Sequence, residues 1–198
     1  MDRVSKRCTY DEALAFAENA HRGQLRKGTD IPYITHPIEV AGILATMTDD
    51  EDVLIAGLFH DIVEDTGCTL DDIRQKAGER VAFLVSSLTE NKRKGIDPAL
   101  TWEVRKREML ERTRTAPLEV RMIAVADKLS NLRSIAREYR EIGDRIWMRF
   151  HVHEKEKHAW YYNRMLEVTS ALSDTGAWQE CSRLYREVFL EGPAEASG

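Results

Sequence analysis

Apolar residues recur at helical spacing along most of the chain, and no segment alternates convincingly between apolar and polar positions. Polar segments that contain glycine or proline separate these periodic stretches. The pattern predicts helices over about residues 9–21, 37–48, 50–65, 70–77, 79–90, 101–114, 117–134, 147–172 and 177–190. We therefore expect an all-α protein, a single compact multi-helix bundle that takes in residues 1–198, with a disordered tail from about residue 191.

The predicted helix at about residues 50–65 is apolar nearly all round between Val53 and Phe59, so it should be central and buried. Residues 22–35 contain glycine and proline without a helical period, which indicates a structured loop. Residues 91–100 are polar and also contain glycine and proline, so this segment is the clearest candidate for a mobile loop.

Composition and charge exclude several classes of protein. Hydrophobic residues make up 42% of the chain and charged residues 32%, as in an ordinary soluble globular protein. The net charge of -5 argues against a general nucleic-acid binder, and the longest apolar run is too short to cross a bilayer. The three cysteines form no CxxC pair and the first residues do not resemble a signal peptide. We expect a cytoplasmic protein with no nucleic-acid or membrane partner.

The densest group of ionisable residues lies at the end of the most hydrophobic predicted helix, in the sequence HDIVED at residues 60–65. On a continuous helix, His60 and Glu64 lie one turn apart, and so do Asp61 and Asp65. Burying charges costs several kcal/mol each unless they are paired or bind a metal, and three carboxylates this close repel one another without a cation. Imidazole and carboxylate together suit a divalent transition metal. The motif therefore predicts a metal site.

Two further residues fit the same site. His36 lies in PYITHP at the beginning of a predicted helix, and Asp127 interrupts an apolar helix face in AVADKLSNL. Asn131 and Ser134 follow Asp127 at the fourth and seventh positions and extend its polar stripe. Taken singly, each of these residues is more often structural, because histidines begin helices and aspartates pair with arginines.

Five motifs together resemble the HD superfamily of metal-dependent phosphohydrolases. They are AHRGQ (20–24), RK (26–27), PYITHP (32–37), FHDIVEDT (59–66) and ADKLSNL (126–132). Their details and order resemble the hydrolase domain of the RelA/SpoT alarmone enzymes, and especially the small stand-alone alarmone hydrolases. The resemblance covers about residues 9–172. It implies an HD-domain helical bundle.

The resemblance also implies roles for individual residues. The implied ligands of one Mn²⁺ ion are His36, His60, Asp61 and Asp127. Glu64 and Asp65 are implied as the catalytic pair that positions and activates water. The implied contacts to guanine and nucleoside are Arg26, Lys27, Asn131 and Ser134. The implied reaction removes pyrophosphate from the 3′ position of ppGpp or pppGpp, which leaves GDP or GTP.

Basic residues that could contact phosphates form two clusters. One lies on a predicted helix at residues 105–107, and the other on the predicted loop at residues 92–94. A solvated surface explains either cluster equally well, since such clusters are common. The clusters contain Arg105, Lys106 and Arg107, and Lys92, Arg93 and Lys94. Of these we expect Lys106 to contact the substrate.

We expect the remaining histidines and several aromatic residues to have structural roles. No histidine lies between Asp61 and Asp127, so we expect one metal ion rather than two. The sequence HVHEKEKH should form a solvated helix face, because mixed charge at helical spacing usually indicates exposure. Its histidines are His151, His153 and His158. Three neighbouring aromatics are expected in a core or an interface, and these are Trp160, Tyr161 and Tyr162.

Two segments depart from the family pattern. The loop GTDIPY after Lys27 is one residue longer than usual, and SLTE at residues 87–90 changes a charge near the phosphates. Both departures affect the prediction of the substrate more than the prediction of the reaction. Two alternatives stay open: the same chemistry on another nucleotide, such as NADPH, a dNTP or a nucleoside monophosphate, and a catalytically idle nucleotide-binding module. The sequence leaves the oligomeric state open.

Overall fold

Helices make up most of the protein in the computed structural model, which describes residues 8–93 and 95–192. The α-helices are α1 Tyr10–Ala20, α2 Thr35–Leu44, α3 Glu51–Phe59, α4 Ile62–Asp65, α5 Leu70–Ala77, α6 Glu79–Leu88, α7 Pro98–Thr115, α8 Leu118–Ile142, α9 Lys155–Val168 and α10 Gly176–Arg186. Two 3-10 turns, Gly143–Arg149 and Ser170–Leu172, and a π turn, Glu187–Glu191, complete the helical segments. The described residues contain no β-strand, which confirms the all-α prediction.

Local chemistry defines where several helices begin. The Thr9 hydroxyl accepts a hydrogen bond from the Glu12 backbone N–H, and the Glu12 carboxylate accepts one from the Thr9 backbone N–H. Thr69 and Asp72 form the same reciprocal pair at α5. Each such cap contributes about 1 kcal/mol to helix stability, because it satisfies backbone donors that have no partner within the helix.

The core is centred on α3, which lies against α1, α2, α6 and α8. Its residues from Val53 to Phe59 are almost fully buried, except for the partly buried Leu54, as its nearly all-round apolar pattern predicts. Gly57 permits the close approach of α2, since a Cβ atom at this position would lie 2.4 Å from Leu44 Cδ1. No helix in the described part of the chain is long and apolar enough to cross a membrane.

The predicted continuous helix at residues 50–65 is wrong. Helix α3 ends at Phe59, His60 and Asp61 form a turn, and α4 begins at Ile62. The His60 Nδ1–H donates to the Gly57 carbonyl oxygen at 2.8 Å, a local bond that competes with the backbone ladder. Because both turn residues keep near-helical dihedral angles, the polar side chains still point to one side.

The C-terminal half also differs from prediction. Helix α8 continues to Ile142 instead of ending near residue 134, and a 3-10 turn followed by non-helical residues 150–154 replaces the first part of the predicted long helix. His151 and His153 are exposed, as predicted, but His158 is only 7% exposed. The charged residues at 156 and 157 are exposed, so the sequence gives no indication that position 158 faces the interior.

Candidate active site

Side chains from three separate parts of the chain converge on one point. They come from the beginning of α2, the α3–α4 turn and the middle of α8, and are His36, His60, Asp61 and Asp127. His36 Nε2 lies 3.5 Å from Asp61 Oδ2 and 3.3 Å from Asp127 Oδ1. His60 Nε2 lies 3.0 Å from Asp61 Oδ2 and 3.7 Å from Asp127 Oδ1. One ligand atom each of His36, His60 and Asp127 falls within 4.8 Å of the others, and Asp61 lies beside this group.

Hydrogen bonds behind the two imidazoles fix their tautomers. The Ser130 hydroxyl donates to Glu39 at 2.8 Å, so it accepts the proton of His36 Nδ1, also at 2.8 Å. His60 Nδ1 donates to a backbone carbonyl. Both rings therefore direct Nε2, rather than Nδ1, toward the carboxylates, and His60 Nε2 is buried without a hydrogen-bond partner in the described structure. This is how a second layer of hydrogen bonds orients histidine ligands toward a metal.

The electrostatics of this cluster demand a positive charge at its centre. Burial by itself lowers the pKa of His60, but the Asp61 and Asp127 carboxylates raise that pKa well above its usual value. Burial raises the pKa of both aspartates, and the facing cations and imidazoles hold it well below the usual range. Two imidazoles and two carboxylates are ligands that a divalent transition metal accepts. The donor set therefore fits a divalent ion.

The predicted catalytic pair lies next to the cluster on α4. Glu64 Oε1 accepts a hydrogen bond from the Glu90 backbone N–H at 2.7 Å, and Asp65 forms an ion pair with Lys92. Burial raises the pKa of Glu64 to about 7, although the Glu90 N–H opposes the shift. A carboxylate with a pKa near neutrality is suited to take up and release a proton at ordinary pH.

Tyr33 is a site residue that the sequence analysis missed. Its hydroxyl lies 2.5 Å from Asp61 Oδ2 and 3.2 Å from Asp65 Oδ2, so it links a candidate ligand with a candidate catalytic group. Burial and the neighbouring carboxylates raise the Tyr33 pKa well above its usual value, which keeps the hydroxyl protonated as a donor. The only signal of this role in the sequence is the position of Tyr33 three residues before His36. The loop around Tyr33 is otherwise held by backbone hydrogen bonds.

Two cavities meet at this site. The smaller, of about 260 Å³, surrounds the metal-ligand cluster and is mostly polar. The larger, of about 490 Å³, lies between the loop before α2 and helices α7, α8 and α9. Both are lined by Tyr33, His36, Lys106, Lys128 and Asn131. A ligand in the larger cavity can therefore reach the cluster of candidate metal ligands directly.

The predicted substrate contacts all line the larger cavity, namely Arg26, Lys27, Asn131, Ser134 and Lys106. Arg26 donates to Asn131 Oδ1 at 3.2 Å, and Lys27 Nζ lies 5.7 Å from the centroid of the Phe150 ring. Neither cation forms an ion pair with a described carboxylate, and burial lowers the pKa of Lys27. The longer loop bends back on itself, and glycine is favoured at position 28 because its φ of +73° lies in the left-handed region; a Cβ atom there would also lie 2.9 Å from Arg149 Cδ.

Each of the two basic clusters contains at least one residue that lines the smaller cavity and one that points away from it. Arg105 and Lys106 both bind the Glu90 carboxylate at 2.7 Å and line the smaller cavity together with Lys92. Arg107 instead pairs with Glu103 on the surface. Arg93 likewise pairs with Glu108, away from the cavities. Lys94 lies outside the described residues, as does most of the predicted tail, residues 193–198.

The aromatic residues near the C-terminus form part of the larger cavity as well as the core. Tyr161 and Tyr162 are buried and line it, whereas Trp160 lies under Arg107. Lys128, also missed by the sequence analysis, pairs with Asp127 and lies 5.4 Å from the Tyr161 ring centroid. Its place directly after Asp127 is the only signal the sequence offers.

An all-α bundle with a histidine–aspartate pair in a buried ligand cluster defines the HD class of proteins. The chain belongs to the HD domain family, which matches residues 13–153. This membership confirms the superfamily resemblance that the motifs indicate.

Individual relatives are more specific. MESH1 of Mus musculus, named guanosine-3′,5′-bis(diphosphate) 3′-pyrophosphohydrolase, is 40% identical over 129 residues, which cover 64% of this chain and 69% of that protein. A probable GTP pyrophosphokinase of Mycobacterium leprae is 41% identical over 123 residues, 62% of this chain but 15% of that protein. The chain thus spans a small part of that longer relative.

A solved structure is also similar to this chain. It is described as a metazoan ortholog of SpoT that hydrolyzes ppGpp, and it superimposes with a TM-score of 0.68 at 29% identity. The match covers 89% of this chain and 93% of that one. The resemblance to RelA/SpoT-type and small stand-alone alarmone hydrolases is therefore confirmed.

Proposed function

We propose that this chain is a manganese-dependent 3′-pyrophosphohydrolase that converts ppGpp and pppGpp to GDP and GTP with release of pyrophosphate. The observation that carries the proposal is the junction of the two cavities, where a space of about 490 Å³ adjoins the cluster of candidate metal ligands. The activities for which MESH1 and the SpoT ortholog are named support the same reaction.

The metal would be held by His36, His60, Asp61 and Asp127, whose imidazole Nε2 atoms and carboxylates face one another. When bound, a divalent ion supplies an acidified water and neutralises charge on the phosphoryl oxygens. We propose Mn²⁺ because the resemblance to the alarmone hydrolases implies it, and mixed imidazole and carboxylate ligands are compatible with a first-row transition metal.

Glu64 is positioned to take the proton of the attacking water. Its carboxylate is held by the Glu90 N–H, and its raised pKa makes proton uptake favourable near neutral pH. Asp65, held by Tyr33 and Lys92, orients the same water. The water oxygen forms the new bond to phosphorus, and the bond between phosphorus and the 3′ oxygen breaks. The 3′ oxygen receives the proton that Glu64 took from the water and becomes a hydroxyl, and pyrophosphate departs.

The larger cavity would hold the nucleoside, with Arg26, Lys27, Asn131 and Ser134 around it. Lys106 lies where the cavities meet, and Arg105 lines the smaller cavity beside it; both would compensate the charge of the 3′-pyrophosphate. Positioning and charge compensation are the main requirements for hydrolysis of a phosphate ester of this kind.

The test is hydrolysis of ppGpp by purified protein that has been stripped with a chelator and reloaded with Mn²⁺, Mg²⁺ or Zn²⁺. We expect GDP and pyrophosphate in equal amounts, fastest with Mn²⁺. Release of inorganic phosphate only from NADPH, dNTPs or nucleoside monophosphates would support the same chemistry on another nucleotide. Binding of nucleotide without turnover under every metal would support the idle binding module.

A further inference from the structure

One imidazole lies in the wall of the larger cavity, far along the chain from the ligand cluster. His158, on α9, stacks on Trp147 with ring centroids 5.2 Å apart and planes at 24°. The rings of Phe150 and Trp102 lie 5.0 Å and 5.6 Å from it. The imidazole is therefore held rigidly among aromatic rings, with one edge lining the cavity.

The tautomer of this imidazole is fixed. His158 Nε2 lies 2.8 Å from the Val152 carbonyl oxygen, which can only accept a hydrogen bond, so Nε2 carries the proton. Burial lowers the His158 pKa, although the Val152 carbonyl opposes this shift, and the ring is neutral at pH 7. In a neutral ring protonated at Nε2, the other nitrogen, Nδ1, is an acceptor.

Nδ1 has no partner in the described structure, yet it is not sealed away from the cavity. No hydrogen bond reaches it, and the fully buried side-chain atoms without partners belong to other residues. The two carboxylates that line the cavity, Glu39 and Glu138, are already paired with arginines. The Asn131 amide oxygen already accepts from Arg26. Nδ1 is thus an uncommitted acceptor in a cavity whose two carboxylates are already paired with arginines.

We propose that His158 is a specificity-determining residue, whose Nδ1 accepts a hydrogen bond from the Watson–Crick edge of a guanine bound in the larger cavity. Guanine carries hydrogens on N1 and on its 2-amino group, whereas adenine presents a bare N1, no 2-amino group and a donor only at N6. An acceptor aimed at N1 and the 2-amino group therefore favours guanine over adenine. The inference rests on the proposed function for its substrate, and it names the residue that selects the base.

Three variants separate this role from a purely structural one. His158→Gln keeps an amide N–H for the Val152 carbonyl but removes the acceptor at the Nδ1 position. His158→Asn keeps a carbonyl oxygen near the Nδ1 position and loses the Val152 bond. His158→Phe keeps the stacking on Trp147 and loses both polar groups.

The measurement is kcat/KM for ppGpp and for its adenosine counterpart in each variant. We expect His158→Gln and His158→Phe to lower the guanine-to-adenine ratio of kcat/KM about tenfold, because kcat/KM for the guanine substrate falls. A factor of this size corresponds to the loss of one hydrogen bond. His158→Asn should restore most of the ratio. An unchanged ratio in the Gln and Phe variants, or an equal loss on both substrates, would overturn the inference.

A second measurement keeps the inference distinguishable from the proposed function. Calorimetry of GDP and ADP binding requires no hydrolysis, and wild-type protein should prefer GDP while His158→Gln should lose that preference. If the wild type hydrolyses neither substrate but this preference and its loss are found, the proposed function fails and the role of His158 stands. Equal affinity of wild type for GDP and ADP would overturn the role of His158.

Discussion

The two cavities that meet at Tyr33 and His36 are built in different ways. Around the smaller, four of the six candidate metal and catalytic side chains come from residues 60–65, and each is held by a buried or charged partner. The wall of the larger comes from the loop before α2, from α7, α8 and α9, and from the 3-10 turn. The candidate metal and catalytic residues are thus concentrated in short motifs, whereas the proposed substrate contacts are spread across the fold.

The largest effect should come from removing a ligand of the smaller cavity. Asp127→Asn preserves the shape of the side chain but removes the charge that opposes the two imidazoles, so we expect loss of stoichiometric metal and a fall in kcat of roughly 10³-fold or more. Metal content by atomic spectroscopy and nucleotide binding by calorimetry check this together. Nucleotide affinity in the larger cavity should change little, and full metal content in the variant would contradict the ligand assignment.

Glu64→Gln should separate catalysis from metal binding within the same cavity. The amide can still accept the Glu90 N–H but cannot take a proton, so kcat should fall about 10²–10⁴-fold. Metal content should remain at the wild-type level, since Glu64 is not among the candidate ligands. Turnover equal to wild type would remove the proposed role of Glu64.

The same substitution should change stability with pH in metal-free protein. The Glu64 pKa is about 7 in the folded protein against 4.5 ordinarily, so the folded state binds its proton more tightly than the unfolded state does. Stability of wild type therefore falls as pH rises through that interval, by up to roughly 3 kcal/mol. Thermal unfolding should show Glu64→Gln equal to wild type at pH 4 and more stable at pH 8. A constant difference at all pH values would contradict the raised pKa.

Tyr33→Phe should give a smaller effect at the junction of the cavities. It removes the hydroxyl that binds Asp61 and approaches Asp65, a hydrogen bond to a charged group, so we expect kcat to fall about tenfold to hundredfold. KM should stay nearly constant, because the aromatic ring that Arg26 faces is retained. A change confined to KM would place Tyr33 in substrate binding instead.

The smallest effect should come from a single cation of the larger cavity. Lys27→Met removes a charge that has no described carboxylate partner, and nucleotide affinity should fall roughly fivefold to tenfold with metal content unchanged. Arg107→Met is the matched control, since Arg107 pairs with Glu103 on the surface. If both variants weaken binding equally, the effect comes from general charge rather than from the cavity.

The contrast between the cavities also explains what the sequence could predict. The candidate ligands and catalytic pair were predictable, because acids and imidazoles in an apolar helix conflict with burial and stand out locally. Tyr33, Lys128 and His158 were not, since an isolated tyrosine, lysine or histidine fits many surface and core positions. The helix break at His60 was also missed, because it depends on one side-chain bond to Gly57 that periodicity does not reveal.

The central claim is that a single cation occupies the space between two imidazole Nε2 atoms and two partly buried carboxylates. Diffraction from crystals grown with Mn²⁺, recorded on both sides of the manganese absorption edge, tests it most directly. The account predicts one anomalous peak within bonding distance of His36 Nε2, His60 Nε2, Asp61 and Asp127. Well-ordered density with no peak there, and with these carboxylates turned toward arginines or lysines, would contradict it.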